Sequence, residues 1–185
     1  MRENRRLTSR LALNAIFIAL YIVLSMLAIT IGGLKITFEH FPVILCAVLY
    51  GPVDAILVGT MGELFNQLTS FGLTPTTLLW ILPIVFRGAC IGICGKVLAK
   101  WMSPIAILQK KIPVCFLSIC ILSGIVSSAL NTFAFYVDSK MFGYYSYVLV
   151  FGSLIARLAL GVVTSVIIGY CVKTVLYALR KANYV

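Results

Sequence analysis

Charge is scarce in this chain, and acidic charge scarcest. Asp and Glu together number 5 against 15 Lys and Arg, and charged residues make up 11% of the sequence, where soluble domains carry about a quarter. Hydrophobic residues reach 62% and the mean hydropathy is +1.09. Too little polar side chain is left to cover a soluble globule, so the composition reads as an integral membrane protein. Histidine occurs once, at His40. That excludes a histidine-rich metal site and leaves any serine or cysteine nucleophile without a companion base. There is no HExxH, no aspartate pair, no P-loop and no glycine-rich nucleotide fingerprint, so the chain has nothing with which to hydrolyse ATP. Six cysteines, at 46, 90, 94, 115, 120 and 171, all sit inside apolar runs and none has CxxC spacing; Cys90 and Cys94, one helical turn apart, read as packing. No metal and no cofactor is expected. No tandem repeat, low-complexity stretch or linker divides the chain, so residues 1–185 are taken as a single transmembrane domain.

The excess of basic residues would suggest nucleic acid in a soluble protein, but its distribution points elsewhere. Arg2, Arg5, Arg6 and Arg10 precede the first apolar run. Lys96, Lys100, Lys110 and Lys111 lie mid-chain, and Lys173, Arg180 and Lys181 near the end. If six hydrophobic segments cross in sequence, all three clusters fall on one side, which the positive-inside rule makes the cytoplasm, with both termini. Only Lys35 and Lys140 fall on the other side, each near an acid, Glu39 and Asp138. Basic residues are then topology determinants first, with membrane lipids as second partners.

The expected elements are helix 11–31, a short helix 42–50, and helices 53–68, 76–100, 113–136 and 147–179. Residues 11–31 are read as a retained helix, not a signal peptide. Gly51-Pro52 marks a tight turn, residues 69–75 and 137–146 are outer loops, and 101–112 is a basic cytoplasmic loop. The segment 32–51, GGLKITFEHFPVILCAVLYG, stands out. Nine helical residues rise only about 13 Å, under half of a roughly 30 Å hydrocarbon core, beside a compact charged loop. Such backbone needs protein or a water-filled cavity around it.

Three ionisable residues fall inside spans: Glu63, Arg87 and Arg157. Each costs roughly 2.5–3.5 kcal/mol at the bilayer centre and so needs a partner, a cavity or a task. Glu63, Asn66 and Gln67 share one helical face, and a carboxylate beside two amides suits a heterocycle; an ion pair of Glu63 with either arginine is the alternative. Asp54 either caps its helix or meets a partner. Asn131 is a polar residue in an apolar run. Aromatics, among them Phe38, Phe71, Trp80, Phe135, Tyr136 and Tyr144, gather toward the outer side. There an interfacial belt and a ring-stacking subset look identical in sequence. Ala15-x-x-x-Ala19 allows a second helix to approach closely.

These pieces together resemble the substrate-binding S-components of energy-coupling factor (ECF) vitamin transporters over essentially the whole length. The matching stretches are RLALNAIFIALYIVLS, GGLKITFEHFPVILCAVLYGPVDAILVGTMGEL and LWILPIVFRGACIG, nearest the folate-type group. The resemblance implies an all-α integral membrane fold, a six-helix S-component bundle with a short second helix, in a bacterial cell membrane. It implies capture of a water-soluble vitamin from outside, association with a membrane coupling (T) protein and two cytoplasmic ATPases, and release by toppling when ATP turns over. Ala15 and Ala19 would face the coupling protein. Lys35, Phe38, Glu63, Asn66, Trp80, Arg87, Asn131, Tyr144 and Arg157 would line the vitamin pocket.

The folate-type members carry a Gly-Pro-Tyr-rich stretch and a Gly-Phe-Thr segment before the fourth helix, where this chain reads TSFGLTPTTLLW. Folate is the first expectation, with pyridoxine or the hydroxymethylpyrimidine of thiamine as rivals. A polytopic membrane enzyme using Glu63, or a self-sufficient carrier, are the readings from other classes; the first lacks a second acid or metal ligands, the second lacks inverted repeats.

Overall fold

Nine of the ten residues in HFPVILCAVL are apolar, on every side of a helix, and its central six are buried. The structure is a computed structural model that describes residues 2–31, 34–101 and 114–182. Along them run α1 (Arg2–Met26), β1 (Ile29–Ile31), β2 (Leu34–Ile36), α2 (His40–Leu49), α3 (Pro52–Ser70), α4 (Thr77–Trp101), α5 (Val114–Met141), α6 (Tyr147–Phe151) and α7 (Leu154–Lys181). The decapeptide is α2. Pro42 to Ala47 are all buried, because α1, α3, α4 and α7 pack around them. The half-span is thus enclosed by protein, which is the condition for its short length at membrane depth.

The fold is an all-α bundle with one small antiparallel β ladder. Among the described residues, four helical segments are long and apolar enough to cross a membrane by length and composition: Thr8–Met26, Thr77–Val97, Val114–Met141 and Tyr147–Leu179. In three of these no more than 22% of the most apolar window is buried inside the protein, so their apolar surface faces outward, as a lipid-facing surface does. Leu78, Val114 and Ile155 are each more than three-quarters exposed. α3, with 19 residues, is long enough as well but carries Asp54, Glu63, Asn66 and Gln67.

Several boundaries differ from expectation, beginning with α1 and α2, which start at Arg2 and His40 where residues 11 and 42 were expected. The first helix ends at Met26, not at residue 31, and Ile29–Ile31 pairs with Leu34–Ile36, Thr30 opposite Lys35. β-Branched Ile29, Thr30 and Ile31 favour the extended chain over the last helical turn. α3 continues to Ser70, into the expected outer loop. α5 runs on to Met141, five residues past the expected end, and closes at Gly143, whose φ is +76. Tyr144 N–H reaches back to Ser139 C=O at 3.1 Å there, the bond of a left-handed glycine cap. Finally, the expected single helix 147–179 is interrupted at Gly152–Ser153, which separates α6 from α7. Beyond Trp101, the basic loop with Lys110 and Lys111 lies outside the described residues, as do Gly32 and Gly33.

α1 is held to the α2–α3 corner by a polar cluster. Gly51, at φ +97, makes the turn, and Pro52 starts α3. Asp54 in its first turn accepts hydrogen bonds from Arg10 and Asn14, both at 2.9 Å. The Arg10 guanidinium also lies over the Tyr50 ring, 5.9 Å from its centroid. Asp54 therefore ties two helices together and does not cap its own, since α3 has no side-chain cap. On α1, Ala15 and Ala19 are both exposed, away from the contacts with α2 and α3.

Candidate functional site

Inside the bundle, α3, α4, α5 and α7 surround a cavity of about 790 Å³. α5 gives it a regular stripe: Gly124, Ser127, Ser128, Asn131, Phe135 and Asp138 all line it, at the three-and-four spacing of one helical face. Gly and Ser at the inner end leave room, whereas Phe135 and Asp138 at the loop end project bulk and charge. α7 faces this stripe with Arg157, Leu160, Gly161 and Thr164, again one face.

α3 contributes Glu63, Asn66 and Gln67. The Glu63 carboxylate accepts three hydrogen bonds, from Tyr21 Oη at 2.6 Å, Gln67 Nε2 at 2.7 Å and Asn66 Nδ2 at 3.2 Å. It is 7% exposed. A buried carboxylate with three donors has its hydrogen-bonding capacity met without a cation beside it. Neither Arg87 nor Arg157 forms an ion pair with it among the described residues. The ion-pair alternative is therefore replaced by a phenol-and-amide cradle.

The arginines are held in other ways. Arg87, on α4 one turn after Pro83, is 2% exposed and donates Nη2–H to Ser165 Oγ at 2.7 Å, while its Nε has no partner. Ser165 passes its own hydrogen to Gly161 C=O at 2.5 Å. Arg157 lies over the Phe135 ring, 5.0 Å from the centroid, a cation–π contact.

The loop end is closed by hydroxyls. Thr76, just before α4, donates to Asp138 Oδ1 at 2.5 Å, and Tyr144 donates to Asp138 Oδ2. Asp138 thus links the α3–α4 loop to the α5–α6 loop. Burial and this hydrogen bond push the Tyr144 phenol up to about 12, so it is a donor at neutral pH. Phe135 sits between Trp80 (centroids 6.4 Å) and Tyr144 (6.2 Å), both tilted. Tyr136, its neighbour in sequence, turns the other way, edge-on to Tyr145 at 5.5 Å. Lys140 lies over both of those rings. The aromatics thus divide into a cavity group and an outer group.

Seven of the nine expected pocket residues come together on this wall: Glu63, Asn66, Trp80, Arg87, Asn131, Tyr144 and Arg157. Phe38 does not; it lines a separate small apolar pocket with Leu24, Phe41, Ile168 and Cys171. Lys35 lies on β2, and its side chain is outside what is described. Sequence reasoning missed Thr37, Glu39, His40, Phe135 and Asp138 as lining residues. The spacing Asn131, Phe135, Asp138 was the available signal for the last two. No cluster of three or more His, Cys, Asp or Glu able to hold a metal occurs among the described residues.

A polar, aromatic-mouthed cavity inside a membrane bundle is a place to hold a small molecule. A family model described as "ECF transporter, substrate-specific component" matches residues 9–180. The chain belongs to this family. As an ECF substrate-specific component it is a membrane subunit of a transporter, the part that selects the substrate, working with the transporter's other components. No curated protein sequence matches the chain.

Proposed function

We propose that this ECF component is the high-affinity substrate-binding subunit of an importer for a water-soluble vitamin, folate first, in a bacterial cell membrane. It captures the vitamin from outside and delivers it by toppling, driven by a coupling (T) protein and two cytoplasmic ATPases. It is a transport subunit and not an enzyme, since hydrolysis of ATP belongs to the partners. The N- and C-termini are cytoplasmic, which puts the basic clusters inside and the Asp138–Tyr144 loops outside.

The observation that carries this reading is the cavity itself. Its volume of about 790 Å³ falls in the roughly 300–1,000 Å³ range of small-molecule sites, and a few polar groups on a partly aromatic wall are the usual lining of such sites. That space suits a fused ring with a side chain better than a single small ring. The Glu63 acceptors, which a small heterocycle would need, already take donors from Tyr21, Asn66 and Gln67. Arg87, whose Nε has no partner, is available for an acidic tail.

Isothermal titration of the purified chain in detergent against folate, pyridoxine and hydroxymethylpyrimidine tests the reading. Stoichiometric, tight binding of folate is expected. Tight binding of one of the smaller rings instead would replace folate while keeping the role, and no binding to any micronutrient would sink the vitamin claim.

A further inference from the structure

The cavity has two ends of different chemistry, and their separation can be read from the helices. Trp80 and Arg87 are seven residues apart on α4, about 10 Å of rise. Arg157 and Ser165, which holds Arg87, are eight apart on α7, about 12 Å. Both helices therefore put Arg87 on a floor well below the loop end, where Arg157, Phe135, Trp80 and Tyr144 meet. The arginines do not form one clamp; they serve opposite ends.

The floor is where a charge is left under-partnered. A guanidinium has five N–H donors and no acceptor, and a buried charge is costly unless paired and hydrogen-bonded. Arg87 lines the cavity; its guanidinium has a serine bond on one Nη and a buried Nε without a partner. Of the acids on that wall, Glu63 and Asp138 are occupied by donors from the protein. Glu39 lines the cavity too. His40, at the start of α2, has its Nδ1 unpartnered beside the same space. Around this floor the wall is small, with Gly124 and Ser127.

We propose that the ligand is elongated, with a planar ring at the Trp80–Phe135 end and an oxyanion on Arg87 at the floor. This rests on the vitamin-capture reading of the cavity and goes further, naming the chemistry at each end. Nε and the adjacent Nη of a guanidinium present a fork that fits two oxygens of a carboxylate or a phosphate. Arg157 has a different role: it covers the Phe135 face and acts on whatever ring lies there.

The test uses two pairs that differ only in the anion: folate against its diamide, and pyridoxine 5′-phosphate against pyridoxine. Each is titrated calorimetrically into the wild-type chain, Arg87→Gln and Arg157→Gln. In the wild type, at least one acid should bind about tenfold or more tighter than its neutral partner. The folate pair reports a carboxylate and the pyridoxine pair a phosphate. Arg87→Gln should reduce that discrimination to within about threefold, while Arg157→Gln weakens acid and neutral partner alike. Equal affinity within both wild-type pairs overturns the proposal, whether or not the variants fold. So does discrimination that survives in Arg87→Gln, or that is lost only in Arg157→Gln. Binding confined to the neutral compounds overturns the oxyanion and leaves vitamin capture standing, as does binding of hydroxymethylpyrimidine alone; no binding by any of the five overturns both.

Discussion

Tyr21 on α1 donates its phenol hydrogen to Glu63 on α3 at 2.6 Å, and the ring reaches that carboxylate because residue 62 is glycine. A Cβ built on Gly62 would come within 2.6 Å of Tyr21 Cγ. One residue therefore provides clearance and the next provides the acceptor. Tyr21→Phe leaves a buried carboxylate short of one donor and should destabilise the protein by roughly 1.5–3 kcal/mol. Gly62→Ala should cost roughly 1–3 kcal/mol through overpacking. Both are read as denaturation midpoints in detergent. Tyr21 is not on the cavity wall, so vitamin affinity in folded Tyr21→Phe should change by less than about threefold. A large loss of affinity with unchanged stability would mean that Tyr21 touches the ligand.

At the other end of the cavity, Tyr144 is bound to Asp138 and its phenol is pushed up to about 12. The folded state favours the protonated phenol, so whatever stability this contributes is fully present below the usual value of about 10. It is lost as pH rises from about 10 through about 12. The difference in phenolate absorbance between wild type and Tyr144→Phe should titrate near that upper value. A midpoint near 10 would contradict the bond. Between about pH 6 and 9 the loop contact is unaffected, so ligand release, faster in Tyr144→Phe, should have the same ratio to wild type throughout.

The exposed face of α1 makes a separate prediction. Ala15 and Ala19 contribute little side chain and lie on the outside of the bundle, which suits close approach by a helix of another protein. Ala15→Trp or Ala19→Trp should abolish co-purification with the coupling protein and abolish uptake, while calorimetric vitamin affinity stays at the wild-type value. Loss of ligand binding with assembly intact would move these alanines out of the interface.

Much of this architecture was legible as pattern. The buried apolar α2, the Gly51-Pro52 corner and the shared face of Glu63, Asn66 and Gln67 all follow from spacing, while the seven expected residues among the 22 on the cavity wall came with the family resemblance. What was not legible depended on contacts across long stretches of chain. Whether Glu63 meets an arginine or a tyrosine is decided by the packing of α1 on α3, whose partners are 42 positions apart in sequence. Asp138 was read with its neighbour Lys140, but in the fold it turns inward to Thr76 and Tyr144, while Lys140 turns outward over Tyr136 and Tyr145. The early end of α1 was hidden because apolarity continues unbroken into β1; only the β-branched Ile29, Thr30 and Ile31 signalled the change. The aromatic sorting of Phe135 from Tyr136 is a matter of helical phase, and that phase is set by where α5 meets α4 and α7.

Vitamin uptake into proteoliposomes tests the central claim most directly, with the chain reconstituted alone and together with its coupling protein and ATPases. The account predicts binding but no net uptake by the chain alone, and ATP-dependent accumulation with the full assembly. Accumulation by the chain alone, without ATP, would contradict it.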